Sequence, residues 1–252
     1  MNETNRQNHQ TAGAGTRPEP QLSIILPAFN EEGNIRPVIN ETVEAIVRNP
    51  WIRGYEIIIV NDGSTDGTAR ESEAVAAKSD AIRVLHHPEN RGIGAALKTG
   101  YAAAMGTWVT AAGSDGEVEM SEVLQLVRMM DDADLVVSRR WRGPGAHRKL
   151  FTYLFHRLTN LIVGFNIAGM EGIYVIRRDI LRRMELYSNT SLVNLEIIMQ
   201  GVRAGCRIRT GEITVHPRLS GESKMTNCHA IARVFLEMLK LRLHLWRKAR
   251  GT

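Results

Sequence analysis

LSIILPAFNEEGNI (residues 22–35) sets a short apolar, β-type run against a polar turn and the start of a helix. The same cadence returns in EIIIVNDGSTDGTA (56–69), and a later apolar segment ends in GSDGE (113–117). Short apolar runs bounded by turn signals fit strands buried on both faces. Repeated strand–turn–helix units gather their polar turns along the carboxyl edge of a parallel sheet, where open α/β sheets bind ligands. Asp62, Asp115 and Glu117 would meet there, a set suited to a nucleotide, its sugar and a divalent cation.

Working outward, strands are expected at Leu22–Leu26, Tyr55–Val60, Ile82–His86, Trp108–Ala112 and Leu135–Ser138. Between them, Asn34 reads as a helix cap with Pro37 in the first turn, where its missing N–H costs nothing. Ile35, Val38, Ile39, Val43, Ile46 and Val47 form the apolar stripe of that helix. A second helix runs to about Lys78, an Ala-rich one follows NRGIGAALKTG (90–100), and Ser121 reads as the cap of the next. This alternation predicts an α/β fold with a mostly parallel sheet and helices on both faces. After Arg139 the rhythm changes. A basic Gly/Pro loop leads to an amphipathic helix at Leu150–Val163, a strand at Gly172–Arg177, short helices near 179–186 and 191–203, and a strand at Arg207–His216.

The 252 residues, 43% hydrophobic, can bury a sizeable core and suggest one principal domain at 21–228. Residues 1–20 are polar, lack an apolar leader pattern and read as a disordered tail. Residues 229–252 read as a basic amphipathic helix. No apolar run reaches the roughly 18–20 residues that span a bilayer. Cys206 and Cys228 lack metal spacing and fit a reduced, cytoplasmic protein. The net charge of +5 is unevenly spread: residues 1–138 carry 11 Lys and Arg against 20 Asp and Glu, and residues 139–252 carry 21 against 7. A basic half folded against an acidic one suits a polyanion with its metal, an anionic membrane, or a solvated basic surface.

Individual motifs carry two readings each. Asp62 ends a strand before Gly63 and can accept from a base or ribose, or simply form an Asx-turn. Asp66 reads as the cap of the following helix. Asp115 and Glu117, two residues apart in a turn, can reach one hard cation, Mg²⁺ or Mn²⁺, or form a solvated acidic turn. Gly92 and Gly94 permit close backbone approach, for phosphate or for packing. Leu97 stands where a dinucleotide fingerprint needs glycine, so that site is not supported. His86, His87 and His147 have no partner at metal spacing and read as structural or solvated. Arg218, Ser223 and Lys224 follow a strand and can grip phosphate, or form a basic surface loop.

Taken in order, LPAFNEEGNI, IVNDGSTDGT, NRGIGAALKTG, GSDGE, GIYVIRRDIL (172–181) and PRLSGESKM (217–225) resemble glycosyltransferase family 2 with the GT-A fold. The likeness is greatest to its dolichol- or polyprenol-phosphate mannosyltransferase branch and runs from Leu22 to Met225. By this resemblance Pro27, Ala28, Asn30 and Glu32 would line the nucleotide pocket with Asp62 at the base. Arg91, Gly92 and Lys98 would lie near the nucleotide or diphosphate. Asp115 and Glu117 would form the metal turn, with Ser114 beside them binding substrate; Arg218, Ser223 and Lys224 would close over the phosphates, and Arg139 would face the diphosphate or acceptor. Two positions depart from the family pattern: Gly113 replaces the first Asp of the metal motif, and Ala168 stands where an Asp is common. The Q-x-x-R-W signature of processive synthases is absent, which favours a single transfer.

The resemblance implies an inverting, metal-dependent enzyme, with GDP-mannose as first expectation for donor and a polyprenyl or dolichyl phosphate as acceptor. A soluble hydroxyl acceptor is the alternative and would need a general base, for which Glu171 and Glu196 are candidates. A nucleotide-sugar-binding protein without catalysis is the third reading. The basic half lacks aromatic interleaving, so nucleic acid is not an expected partner. The final helix would pack on the core, meet a second copy, or lie on the inner face of a membrane.

Overall fold

The structure is a computed structural model that describes residues 20–141, 172–214 and 216, and a few positions between 236 and 243. The Leu150–Val163 helix, the N-terminal tail, most of the final helix and the domain boundary at 228 lie outside the described residues.

Seven strands form one sheet: β1 (Leu22–Ala28), β2 (Tyr55–Asn61), β3 (Ile82–His86), β4 (Trp108–Ala111), β5 (Leu135–Trp141), β6 (Tyr174–Arg177) and β7 (Ile208–Thr214). Their order is β3-β2-β1-β4-β6-β5-β7. All run parallel except β6, which is antiparallel to both β4 and β5. The helices are α1 (Ile35–Val47), α2 (Thr68–Ala76), α3 (Ile93–Ala103), α4 (Met120–Arg128), α5 (Arg178–Leu181) and α6 (Leu192–Arg203).

The apolar strand runs are explained by burial on two faces. Leu22, Ile24 and Leu26 of β1, with Ile57 and Ile59 of β2, pack with α1 and α4. Ile25, Ile58 and Val60 point the other way, against Ala96, Leu97 and Tyr101 of α3 and Val193 and Ile197 of α6. Side chains alternate along each strand, so a strand covered on both sides needs apolar residues at every position.

Local departures from expectation have physical causes. β1 continues through Pro27 to Ala28, because β1 pairs parallel to β2 and β4 and loses only one ladder donor at the proline. On α1, Val47 is 70% exposed, while Thr42 and Ala45 are buried. The Thr42 hydroxyl donates to the Val38 carbonyl at 2.7 Å, which makes its burial tolerable. Glu119, not Ser121, occupies the N-cap position of α4, and Met120 N donates to Glu41 Oε1 of α1 at 2.9 Å. A carboxylate from a neighbouring helix thus takes over capping, which local sequence does not reveal.

Candidate active site

The strand order reverses direction at β1, between β2 and β4, so the carboxyl end of β1 is the switch point of the sheet. Asp62 N donates to the Ala28 carbonyl at 2.8 Å on one side. On the other, Ser114 Oγ donates to the Pro27 carbonyl at 2.9 Å. Adjacent strands lie about 4.8 Å apart, so the turns bearing Asp62 and Asp115 are separated by about 10 Å across β1. Pro27, Ala28, Asp62, Ser114 and Asp115 are therefore brought together at the carboxyl end of β1.

The turn after β1 is knitted to the turn after β2. Asn30 N donates to Ser64 Oγ at 3.0 Å, and Thr65 N donates back to Asn30 Oδ1 at 2.9 Å. Asn30 adopts a left-handed φ of 52°, which asparagine tolerates better than most residues. The Glu32 carboxylate accepts from Gly67 N at 2.9 Å and from the Arg70 guanidinium at 3.0 Å. Gly67, not Asp66, occupies the N-cap position of α2; Asp66, one residue earlier, accepts from Thr68 N at 3.0 Å. Burial alone would raise the Asp66 carboxyl, but its bonds from Thr68 and Glu32 outweigh that and hold it below its ordinary value. Asn30 and Glu32 thus tie the turns after β1 and β2 together through groups that already have protein partners.

Asp62 is 3% exposed. Its carboxylate accepts from His87 Nδ1 at 2.6 Å, Arg91 N at 3.0 Å and Gly92 N at 2.8 Å. Gly63, at φ 69°, lies so close to the loop after β3 that a Cβ would stand 2.3 Å from the Glu89 carbonyl carbon. Gly94 packs against another segment: its N–H donates to the Asn189 carbonyl at 3.0 Å, and a Cβ would meet Asn189 and Thr190 backbone at 2.6 Å. Of the two readings of these glycines, close packing is visible; residues 188–190 lie over the start of α3. Lys98, one turn further along α3, reaches the Asn189 side chain at 2.8 Å and the Tyr187 carbonyl at 3.3 Å. Burial lowers its pKa. Arg91 is exposed.

Glu196 is 1% exposed. Its two oxygens accept from Tyr187 N at 2.7 Å and Ser188 N at 2.8 Å. That carboxylate fastens the 187–188 backbone, a structural role beside the general-base candidacy its sequence position raised. Glu171 and Ala168 lie outside the described residues.

At the acidic turn, Asp115 Oδ1 accepts from Glu117 N at 3.2 Å. A Cβ on Gly113 would stand 2.7 Å from that same Oδ1, so the missing side chain leaves the room Asp115 occupies. The Glu117 carbonyl accepts from His216 N at 2.8 Å, and Thr214 N donates to Glu122 Oε2 at 3.0 Å. These bonds dock the exit of β7 on the acidic turn, two residues before Arg218. Arg218, Ser223 and Lys224 themselves lie outside the described residues. Arg139, exposed at the carboxyl end of β5, pairs in register with Glu212 of β7. Among the described residues no group of three or more His, Cys, Asp or Glu could hold a metal. Asp115 and Glu117 supply two hard oxygen donors, which fits a Mg²⁺- or Mn²⁺-type ion that takes its remaining ligands from water and phosphate.

Reasoning from sequence missed the His87–Asp62 pair, the Ser64 and Thr68 hydroxyls that knit the turns, and Glu41. Only Ser64 and Thr68 carried a signal, since both fall in the NDGSTDGT turn.

A mostly parallel sheet with helices on both faces and an acidic turn beside its switch point defines a GT-A-type glycosyltransferase. Residues 23–184 match the glycosyl transferase family 2 domain, and the chain belongs to that family. It is 33% identical to a dolichyl-phosphate beta-glucosyltransferase of Trichomonas vaginalis over 172 residues, 62% of this chain and 49% of that one. It is 27% identical to a dodecaprenyl-phosphate galacturonate synthase of Rhizobium johnstonii over 236 residues, 91% of this chain and 69% of that one. The chain spans about half the length of the Trichomonas relative and of a Haloferax volcanii low-salt glycan biosynthesis hexosyltransferase. Glucosyl-3-phosphoglycerate synthase from Mycobacterium tuberculosis, solved with Mg²⁺ and uridine diphosphate, superposes with a TM-score of 0.66 at 25% identity, covering 88% of this chain and 79% of that one.

Proposed function

We propose that the chain transfers one sugar, with inversion, from a nucleoside-diphosphate sugar to the phosphate of a polyprenyl or dolichyl carrier. The acceptor oxygen attacks the anomeric carbon, the bond from that carbon to the diphosphate oxygen breaks, and the diphosphate leaves with the electron pair. The observation that carries this reading is the Glu117–His216 backbone bond of 2.8 Å. It brings His216, two residues before Arg218 in sequence, to the turn that carries the two carboxylates. Asp115 and Glu117 would hold a divalent cation there, which when bound would offset the charge on the departing diphosphate. Arg218, Lys224 and Arg139 would add fixed positive charge, and Ser223 a hydroxyl donor. Arg91, Gly92 and Lys98 stand on the nucleotide side.

A phosphate acceptor is already anionic and needs no general base. Glu196, one of the two bases considered for a hydroxyl acceptor, is already engaged by two backbone donors, which favours this choice. For the donor, the guanosine-linked mannose expected from the resemblance has less support than a uridine diphosphate hexose. The relatives are named for glucosyl and galacturonate transfer, and the structural relative holds uridine diphosphate.

Membrane contact would be peripheral; among the described residues no helix is long and apolar enough to cross a bilayer. Along the final helix Leu241 is buried, whereas Leu236, Leu239 and Leu243 are 57%, 40% and 55% exposed. These three share a face, with Arg233, Lys240, Arg242, Arg247, Lys248 and Arg250 nearby in sequence. That composition suits an anionic lipid surface.

The likeness to the phosphoglycerate enzyme favours a second reading, a small phosphorylated acceptor in solution. Incubation with radiolabelled UDP-glucose and either undecaprenyl phosphate or 3-phosphoglycerate separates the two. Label extracted into organic solvent supports the carrier lipid, and label retained in a water-soluble product supports the alternative. No transfer to either acceptor, from UDP- or GDP-sugars, would leave the family's activity without a demonstrated counterpart here and overturn both.

A further inference from the structure

The two oxygens of the buried Asp62 carboxylate are not equally occupied. Oδ1 accepts from His87 Nδ1 at 2.6 Å and from Arg91 N at 3.0 Å, whereas Oδ2 accepts from Gly92 N at 2.8 Å. Each carboxylate oxygen offers two lone-pair sites, so among the described residues Oδ1 is filled and Oδ2 keeps one acceptor site. His87 is 7% exposed, and its Nε2 meets Thr99 Oγ1 of α3 at 2.9 Å. With Nδ1–H given to Asp62, the neutral ring accepts at Nε2 from the Thr99 hydroxyl; a protonated ring would donate to the same oxygen. Either way the ring is held at both nitrogens.

The loop does not need this imidazole for closure. The Arg91 and Gly92 N–H groups already tie it to Asp62, and His87 N donates to the Asn61 carbonyl at 2.9 Å. What the imidazole adds is a fixed orientation for the carboxylate. We propose that His87 is a positioning residue for donor recognition: by filling Oδ1 it presents Oδ2 as the acceptor for a nucleoside N–H or hydroxyl. The saving is one of preorganisation, since a carboxylate already oriented has less freedom to lose when the nucleotide binds. This proposal rests on Asp62 facing the donor, as set out above.

The test uses the full chain with uridine or guanosine diphosphate plus Mg²⁺, followed by calorimetry. For whichever nucleotide binds, His87→Phe should weaken binding about tenfold or more, the scale of a lost charge-assisted hydrogen bond. His87→Asn, which puts an amide N–H near the place of Nδ1, should recover most of the loss. In proton spectra the wild type should show a downfield imidazole N–H resonance that shifts when the nucleotide saturates the site. A folded His87→Phe variant with wild-type affinity, or an imidazole resonance unmoved by saturating nucleotide, overturns the proposal. If His87→Phe does not fold, the resonance and the His87→Asn affinity decide by the same criteria. Asp62→Asn distinguishes the two levels. Wild-type affinity in that variant, or no nucleotide binding by the wild type, defeats the donor reading itself. Weakened binding in Asp62→Asn but not in His87→Phe defeats only the role of His87.

Discussion

Gly63 has a left-handed φ of 69° and no room for a Cβ, because the Glu89–Asn90 backbone lies within 2.7 Å of that position. Gly63→Ala should therefore destabilise the fold by about 2–4 kcal/mol, combining backbone strain with overpacking, as read from denaturant midpoints. Asp134 offers a test by pH. The Arg207 guanidinium and backbone N–H hold its carboxyl down to about 2, at side-chain distances of 3.0 and 3.2 Å. Because the folded value lies below the unfolded one, the stabilisation is present above about pH 4 and is lost as pH falls through about 2. Arg207 is largely in solvent, so Asp134→Asn should cost only about 1 kcal/mol at neutral pH and flatten the acid limb of the stability curve. At this scale the sequence was most ambiguous. Asp62, Asn30 and Glu32 could be marked as polar groups at strand ends, but turn chemistry and ligand chemistry use the same side chains. Their protein partners lie some 30 residues away, in other turns.

At the scale of elements, α3 depends on the segment that covers its first turn. Glu196 holds that segment through two backbone N–H groups, one buried at Ser188 and one part-buried at Tyr187, so Glu196→Ala, which removes their acceptor, should cost about 1–3 kcal/mol. Glu196→Gln should lose less, because its carbonyl oxygen still accepts one of the two. If Glu196 also served as general base, Glu196→Gln would lose activity far out of proportion to its lost stability, which thermal melts and transfer rates together would reveal. Strand and helix existence was largely legible, because runs such as Ile57–Val60 carry the two-face burial of a covered sheet. The antiparallel direction of β6 was not, since periodicity is the same in either direction. The cap of α4 was misplaced for a related reason: its partner Glu41 comes from α1.

For the whole molecule, the opposed charges of the two halves found a partial structural counterpart. The acidic turn at Asp115–Glu117 lies where β7, from the basic half, leaves the sheet. If the exposed leucines of the final helix meet lipid, Leu236, Leu239 and Leu243 changed together to serine should reduce co-sedimentation with phosphatidylglycerol vesicles severalfold. Nucleotide binding in solution should be unaffected by those changes. Binding to vesicles that persists, or that is equal for uncharged vesicles, would count against the lipid-facing role. Cation and diphosphate should bind as a pair, which calorimetric titration of uridine diphosphate with and without Mn²⁺ reads. The wild type should bind at least about tenfold more tightly with the ion, and Asp115→Ala and Glu117→Ala should each lose most of that gain. Binding that ignores the ion, or variants that keep its full effect, would contradict the account.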